Sequence, residues 1–307
     1  MFTEAQNFAV VQTELDSVFF QNLKYDATDP TIATSRTGKL FKQITTQHAA
    51  YLYEVNKPVG LFPVIGETQT VPQGTPAVRN KVQVLIKDFA MSMPVSKDMF
   101  DDNLHGTWAE NVRQFARKAL ITQDAYAFSK YNGAFTTTLT ADGVSWINVA
   151  HPLIGGGTIS NLIAGALSDS TLNDAMVALR VQKDQAGTIL GCAPSALVVP
   201  PAKWKLAMEI TNSALTSQTA DNALNVWRSA FGFEVYTSPY LSLAAGGSDT
   251  AWFLLADEHS MTRIVRQGVE TALTPWQYST DRTYNYQANF REEVFVADYS
   301  GAVGSTG

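Results

Sequence analysis

Residues 151–161 read HPLIGGGTISN. A histidine, a proline and three consecutive glycines ahead of a Ser/Thr/Asn cluster can form a phosphate-binding loop, a catalytic turn or a bend, and each reading implies a different fold. A phosphate loop needs G-x-G-x-x-G or Gly-Lys-Ser/Thr, placed after a strand and opening a helix, so that backbone amides and the helix dipole face the anion. Here Ser160 stands where the last glycine belongs, and the Gly-Lys-Ser/Thr triplet is missing. No strong strand precedes the run and no helix follows it. His151 before Pro152 reads as a turn residue that packs or hydrogen-bonds locally. The stretch is therefore a bend, and the fold must be sought on either side of it.

Upstream, residues 96–131 carry the clearest helical pattern. Leu104, Trp108, Val112, Phe115 and Ala119 recur every three or four positions and share one face. Asp98, Asp101 and Asp102 near its start suit the helix dipole. Gly106 is expected to break the first turn from the rest, and Asn132-Gly133 to end the helix. Before it, residues 54–91 alternate Pro58, Pro63, Pro72 and Pro76 with Gly60, Gly66 and Gly74, then resolve into the period-2 run Lys81-Val82-Gln83-Val84. PQGTP at 72–76 is a turn signal, so a long hairpin is expected with its tip near Gln73 and Gly74. It carries little apolar material to pack on its own domain, and a loop of that length is usually functional or disordered. A strand-containing arm reaching onto a neighbouring subunit accounts for it. Residues 1–50 read as an extended arm with one or two short helices.

Downstream, helix and strand alternate: TLNDAMVALRVQKDQAG is a helix behind a Ser/Asp/Thr cap, closed by Gly187. SALVVP is a buried strand, and PPAKWKLAMEITNS a helix with proline in its first turn. FEVYTS, AWFLLA and TRIVRQ are strands, and Tyr284, Tyr286, Ala288 and Phe290 alternate along another. The class is α+β, with no internal repeat.

Composition narrows the function. Of 307 residues, 45% are hydrophobic and only 16% charged, against roughly 25% charged in ordinary soluble proteins. A low-charge surface suits a protein that buries much of itself against partners. With net charge −6 and no basic face, a dedicated nucleic-acid reader is not expected. Arg36, Lys39 and Lys42 form the densest positive cluster and read as a solvated face. Cys192 is the single cysteine, which excludes intrachain disulfides and thiolate clusters; it reads as a small buried hydrophobe. The N-terminus lacks a signal-peptide pattern, and no apolar run approaches the roughly 18 residues of a membrane span, so synthesis in a cytoplasm is expected. His48, His105, His151 and His259 show no metal-ligand spacing, and there is no G-x-S-x-G elbow. The carboxylate doublets Asp101-Asp102 and Glu292-Glu293 point different ways along helix or strand; they read as a helix start and a solvated strand edge. Catalytic, cofactor and metal residues are expected to be none.

The order of elements is arm, projecting hairpin, long helix, glycine-rich connection, α+β domain and returning strand. VSKDMFDDNL, DGVSWINVAHPLIGGGTISN, GTILGCAPSALVVPPAKWKLAMEI, FEVYTSPYL, AWFLLA and FREEVFVADYSGAV carry a resemblance, from about residue 80 onward, to the major capsid proteins of tailed bacteriophages with the Hong Kong 97-type fold. The major head subunits of Mu-like phages are the nearest likeness. The resemblance implies an N-terminal arm (1–50), an extended-loop hairpin (51–92), a peripheral domain with a spine helix (93–165 and 281–307) and an axial domain (166–280). Subunit contacts would come from Pro72, Gln73, Gly74, Thr75, Pro76, Arg79 and Lys81. Gly155, Gly156 and Gly157 would be a hinge between the domains, since glycine admits backbone conformations closed to other residues. Some relatives crosslink a loop lysine to a neighbour's asparagine; Lys57 or Lys81 with Asn285 or Asn289 fit by position, with no motif to single them out.

The implied function is an icosahedral head shell of hexamers and pentamers, made in a bacterial cytoplasm and ending in the virion, around double-stranded DNA touched non-specifically. A portal, a separate scaffolding protein and a decoration protein are the implied partners, with no membrane. No charged helical segment precedes the arm, so a fused, cleavable scaffolding domain is not expected. The alternatives are an encapsulin-like nanocompartment shell and a monomeric enzyme with a non-local site.

Overall fold

A computed structural model describes residues 4–23, 38–67, 69–74, 77–98, 105–154, 156–213, 225–230, 232 and 234–307; side chains are described for all of these except 4–11, 56, 57, 77–80, 105–109, 229, 230 and 276. The chain opens with helix α1 (Glu4–Asn22), strand β1 (Lys42–Thr45), the hairpin strands β2 (Ala50–Lys57) and β3 (Ala77–Leu85), and β4 (Lys87–Ser96). The long helix α2 (His105–Asn132) follows, then three two-residue strands, β5 (His151–Pro152), β6 (Thr158–Ile159) and β7 (Leu162–Ile163). Helix α3 (Asp169–Arg180), β8 (Pro194–Val199), α4 (Pro201–Asn212), the short α5 (Val226–Ala230) and β9 (Glu234–Thr237) lead to β10 (Trp252–Ala256), β11 (Met261–Thr274), β12 (Thr283–Val296) and β13 (Ala302–Ser305).

Two sheets carry the fold. A four-stranded sheet runs β1-β11-β12-β4, and a five-stranded sheet runs β7-β13-β10-β8-β9. In the second, period-2 alternation sends successive side chains to opposite faces. Leu197, Val199, Trp252, Leu254 and Val303 pack under α3 and α4 through Leu172, Ala175, Leu179, Ala207 and Ile210. Ala196, Val198, Phe253, Leu255 and Ala302 face the other way, onto Phe128, Tyr131, Trp146, Val294 and Val296. Both sheets thus share one core at the C-terminal end of α2. Because β8 and β10 are covered on both faces, they read as unbroken apolar runs.

Several expectations change. Residues 1–50 are more than an arm: α1 is a single 19-residue helix, free of interior glycine and proline. Its Leu15, Val18 and Phe19 pack with Val112, Phe115 and Ala116 of α2 and with Tyr286. The Asp16 carboxylate accepts hydrogen bonds from the Tyr286 hydroxyl (2.8 Å) and Thr271 (2.7 Å), tying α1 to the four-stranded sheet. Leu40 and Phe41 are buried in the shared core. Helix α2 runs through Gly106, while Leu104, Asp101 and Asp102 lie outside the described residues, as does Arg36. Helix α3 stops at Arg180, short of Gly187, because residues 182–190 fold into a small turn closed by the Lys183–Ile189 bridge. Beyond residue 281, β12 lies in the four-stranded sheet, while β13 is paired to β10 and β7 inside the five-stranded sheet, so the chain end at 302–305 returns to the strands of the expected 166–280 segment.

Candidate assembly surfaces

The hairpin projects from the body. β2 and β3 pair from Ala50–Leu85 out to Lys57–Ala77, and beyond them every described residue from Pro58 to Gly74 is exposed. A Cβ on Gly74 would meet Val59 at 2.7 Å, so the two limbs run side by side. The chain reverses at residues 66–69, where the Gln69 amide donates to the Gly66 carbonyl at 3.1 Å and the Gly66 amide to Gln69 Oε1 at 3.3 Å. The tip therefore lies between Gly66 and Gln69 and not at Gln73 and Gly74. Pro72 lies on a limb and does not turn it, since a fixed φ near −65° suits extended chain as well as a turn.

The loop is also more apolar than expected. Leu61, Phe62 and Val64 are 80%, 95% and 99% exposed, and Val59, Ile65 and Val71 are exposed beside them. Exposed apolar patches of this kind mark interaction sites. The sequence signal was VGLFPVI at 59–65, an apolar run broken by glycine and proline with neither helical nor strand period.

Among the expected contact residues, Pro72, Gln73 and Gly74 lie on the returning limb, exposed. Thr75 and Pro76 lie outside the described residues. Arg79 is the extra residue of a β-bulge, since Val55 pairs with Asn80 and Asn56 with Val78. Lys81 is engaged within its own chain, 2.6 Å from Glu54 across the ladder. Of the two asparagines considered for crosslinking, both sit on β12 of the four-stranded sheet, Asn285 half-buried and Asn289 exposed.

The glycine run is the turn of a miniature hairpin. β5 pairs antiparallel with β6, the Leu153 amide donates to the Gly157 carbonyl at 3.0 Å, and the Gly156 amide donates to the Leu153 carbonyl at 3.1 Å. Gly156 and Gly157 take φ of +90° and +85°, the left-handed region that side chains resist. Gly155 lies outside the described residues. The chain thus doubles back here, with the Leu153 and Gly156 amides engaged in its own turn.

Below that turn, His151 is fully buried. Its Nδ1 lies 2.7 Å from Asp142 Oδ2 and its Nε2 3.2 Å from Asn161 Oδ1, and its ring stacks on Tyr299 at 4.7 Å. Asn161 is oriented by the backbone: its Oδ1 accepts from the Asn148 amide and its Nδ2 donates to the Trp146 carbonyl, each at 2.8 Å. Burial pushes the Asp142 carboxyl up, but hydrogen bonds from His151, Thr140 and the Val144 amide outweigh it and hold the carboxyl below its ordinary value. The network joins the 142–161 segment to Tyr299, in the turn between β12 and β13.

Glu292 and Glu293 are both buried, contrary to the solvated edge expected of them. β12 is flanked by β11 and β4, so neither residue can reach water at an edge. Glu292 meets the Arg263 guanidinium at 2.6 Å on one face. On the other, Glu293 meets Lys130 at 2.9 Å and accepts from the Tyr126 hydroxyl at 2.6 Å. Burial, then this carboxylate, push the Tyr126 hydroxyl far above its ordinary range. These are structural ion pairs. Among the described side chains the histidines are not brought together: His48 is exposed, while His151 and His259 are buried in separate settings; the His105 side chain lies outside the described ones. Among the described residues, no group of three or more His, Cys, Asp or Glu could hold a metal ion, and no helix is long and apolar enough to cross a membrane. Lys39 pairs with Glu234 at 3.0 Å, and Cys192 is a buried apolar neighbour of Leu197 and Val199.

A family model described as phage capsid protein matches residues 79–304. No curated protein matches the sequence. Among solved structures, the capsid of a native GTA particle superposes with a TM-score of 0.57 at 15% identity, covering 92% of this chain and 94% of that one. The procapsid subunit of bacteriophage JBD30 gives 0.52 at 16% identity, over 100% and 76%. The virus-like particle from Pyrococcus furiosus gives 0.54 at 11% identity, over 95% and 98%. At such identities the structural likeness is one of fold, and the family match extends over most of the length. The chain belongs to the phage capsid protein family and is a major capsid protein with the α+β Hong Kong 97-type fold.

Proposed function

We propose that this capsid protein builds the icosahedral head of a Mu-like tailed bacteriophage, with the β2–β3 hairpin reaching onto a neighbouring subunit. The carrying observation is the exposed 59–65 run: Leu61, Phe62 and Val64 are 80%, 95% and 99% exposed, and each would gain about 1.5–3 kcal/mol on full burial. On this reading, α2 and the four-stranded sheet form the peripheral domain. The five-stranded sheet with α3 and α4 forms the axial domain, closing hexamers and pentamers through head-to-tail contacts. Pro72, Gln73, Gly74 and Arg79 then contribute to the contact from the returning limb and its base, and the turn at Gly156 and Gly157 shapes the subunit without binding phosphate. The subunit acts through its interfaces and not as an enzyme. A portal, a scaffolding protein and a decoration protein complete the particle, and a subunit charge of −6 limits adhesion of packaged double-stranded DNA to the wall.

A nanocompartment shell is the second reading, compatible with the fold shared with the virus-like particle from Pyrococcus furiosus; the phage family match supports the first. The test is electron microscopy with sedimentation of the chain, beside a variant lacking residues 60–73. The parent should form shells or capsomer rings, and the variant should remain a folded, soluble subunit. Normal shells from the variant would remove the hairpin from its assigned role.

A further inference from the structure

Between α2 and the outer strand β4 lies an open apolar groove of about 310 Å3, lined by Phe89, Met91, Phe115, Ala119 and Phe290, with Lys118 also facing it. Its floor is firm, because Phe89 and Phe290 stack at 4.9 Å with an interplanar angle of 9°. β4 is the last strand of its sheet, so the groove opens sideways. The volume sits at the small end of ligand sites and suits one or two large side chains. The chain also carries an uncovered apolar run that does not fill its own groove, since every described residue from Pro58 to Gly74 is exposed.

The charges match as well. Glu67 stands two residues beyond Ile65, the end of the apolar run, and Lys118 is exposed beside the groove. Neither has an ion-pair partner among the described residues. A projecting apolar segment and a complementary pocket elsewhere on the same molecule make a heterologous contact, the kind that propagates from copy to copy. Pro58 and Pro63 lack amide donors, so the limb is poorly suited to extend the β4 ladder and would bind through side chains.

Resting on the reading of the hairpin as an intersubunit arm, we propose that the 61–65 run of one copy seats Phe62 in this groove of a neighbouring copy, with Glu67 meeting Lys118. The test measures the subunit concentration needed for shells or capsomers, by sedimentation, under conditions where the parent chain assembles. Circular dichroism and urea midpoints confirm folding of each variant. Phe62→Ser should raise that concentration about tenfold or more, as loss of an interface anchor does. Met91→Glu places a charge in the groove; Met91 is 67% exposed, so the free subunit should tolerate it, and assembly should weaken as with Phe62→Ser. Glu67→Lys and Lys118→Glu should each weaken assembly, and the double variant should recover most of the loss.

If Phe62→Ser blocks assembly while Met91→Glu assembles like the parent, or if the charge-reversed double is no better than its singles, the groove is not the receptor and the hairpin reading stands. If neither Phe62→Ser nor removal of residues 60–73 affects assembly, the hairpin reading falls and takes this proposal with it.

Discussion

Arg263→Met should destabilise the free subunit by about 3–5 kcal/mol, the usual cost of stranding one member of a buried ion pair. The structure sets the magnitude. Arg263 Nε and Nη2 both donate to Glu292 Oε2, at 3.1 and 2.6 Å, and the two side chains are 4% and 1% exposed. At 2.6 Å and an effective dielectric constant near 20, the attraction is about 6 kcal/mol, most of which offsets the desolvation of two charges. Removing the guanidinium leaves the carboxylate desolvated and without that partner, between β11 and β12. The converse change, Glu292→Leu, should cost a similar amount. The double variant should lie within about 1–2 kcal/mol of the parent, because an apolar pair of similar size needs no compensation. Urea unfolding of the dissociated subunit, followed by circular dichroism and tryptophan fluorescence, measures all three. A loss below about 1 kcal/mol for Arg263→Met, or singles that simply add in the double, would refute the reasoning.

Acid should weaken the subunit through His259. Its Nε2 donates to the Lys39 carbonyl at 2.9 Å and its Nδ1 accepts from the Met261 amide at 3.2 Å. Burial holds its pKa down at about 4, against about 6.5 in the unfolded chain. The neutral ring is the folded form, so this contribution, about 3 kcal/mol at most, is complete above pH 6.5 and lost as pH falls towards 4. His259→Gln should flatten that part of the stability–pH curve, and an unchanged slope would count against it. Two glycine substitutions should separate strain from crowding. Gly156→Ala, at φ +90° with open space around it, should cost about 1–2 kcal/mol. Gly301→Ala, at φ +73° with a Cβ 2.7 Å from the His259 amide nitrogen, should cost several kcal/mol more; equal urea midpoints for the two would contradict the close approach of residue 301 to the Glu258–His259 backbone.

Much of the fold was legible where a local rule decides it. The 3.6 period of Val112, Phe115 and Ala119 marked the face of α2 that packs on α1 and the sheet, and Asn132-Gly133 marked its end. Alternation along Tyr284, Tyr286, Ala288 and Phe290 marked β12. The glycine run was separable from a phosphate loop by spacing alone, and its two positive-φ positions follow from glycine chemistry. The hairpin was legible as a hairpin, but its tip was not. Proline and glycine permit both a turn and an extended limb, and the close approach of Gly74 to Val59 selected between them. Likewise α1 offers a narrow apolar face, and its stability as one helix depends on α2 and Tyr286 standing opposite Phe19.

The adjacent carboxylates mark the boundary between the two kinds of information. That Glu292 and Glu293 face opposite sides of a strand is a property of the strand and needs no structure. That both are buried and matched with cations was decided by tertiary structure, because β4 and β11 close over both edges of β12, and the partners Arg263 and Lys130 lie 29 and 163 residues away in sequence. The same holds for the 59–65 run. Its composition alone makes it apolar, but whether it belongs to a core or an interface depends on what lies within a few ångströms of it. Among the described residues nothing buries it: every residue of the run is exposed. Local sequence determines which conformations and faces are available, and burial, a property of distant neighbours, determines which of them are used.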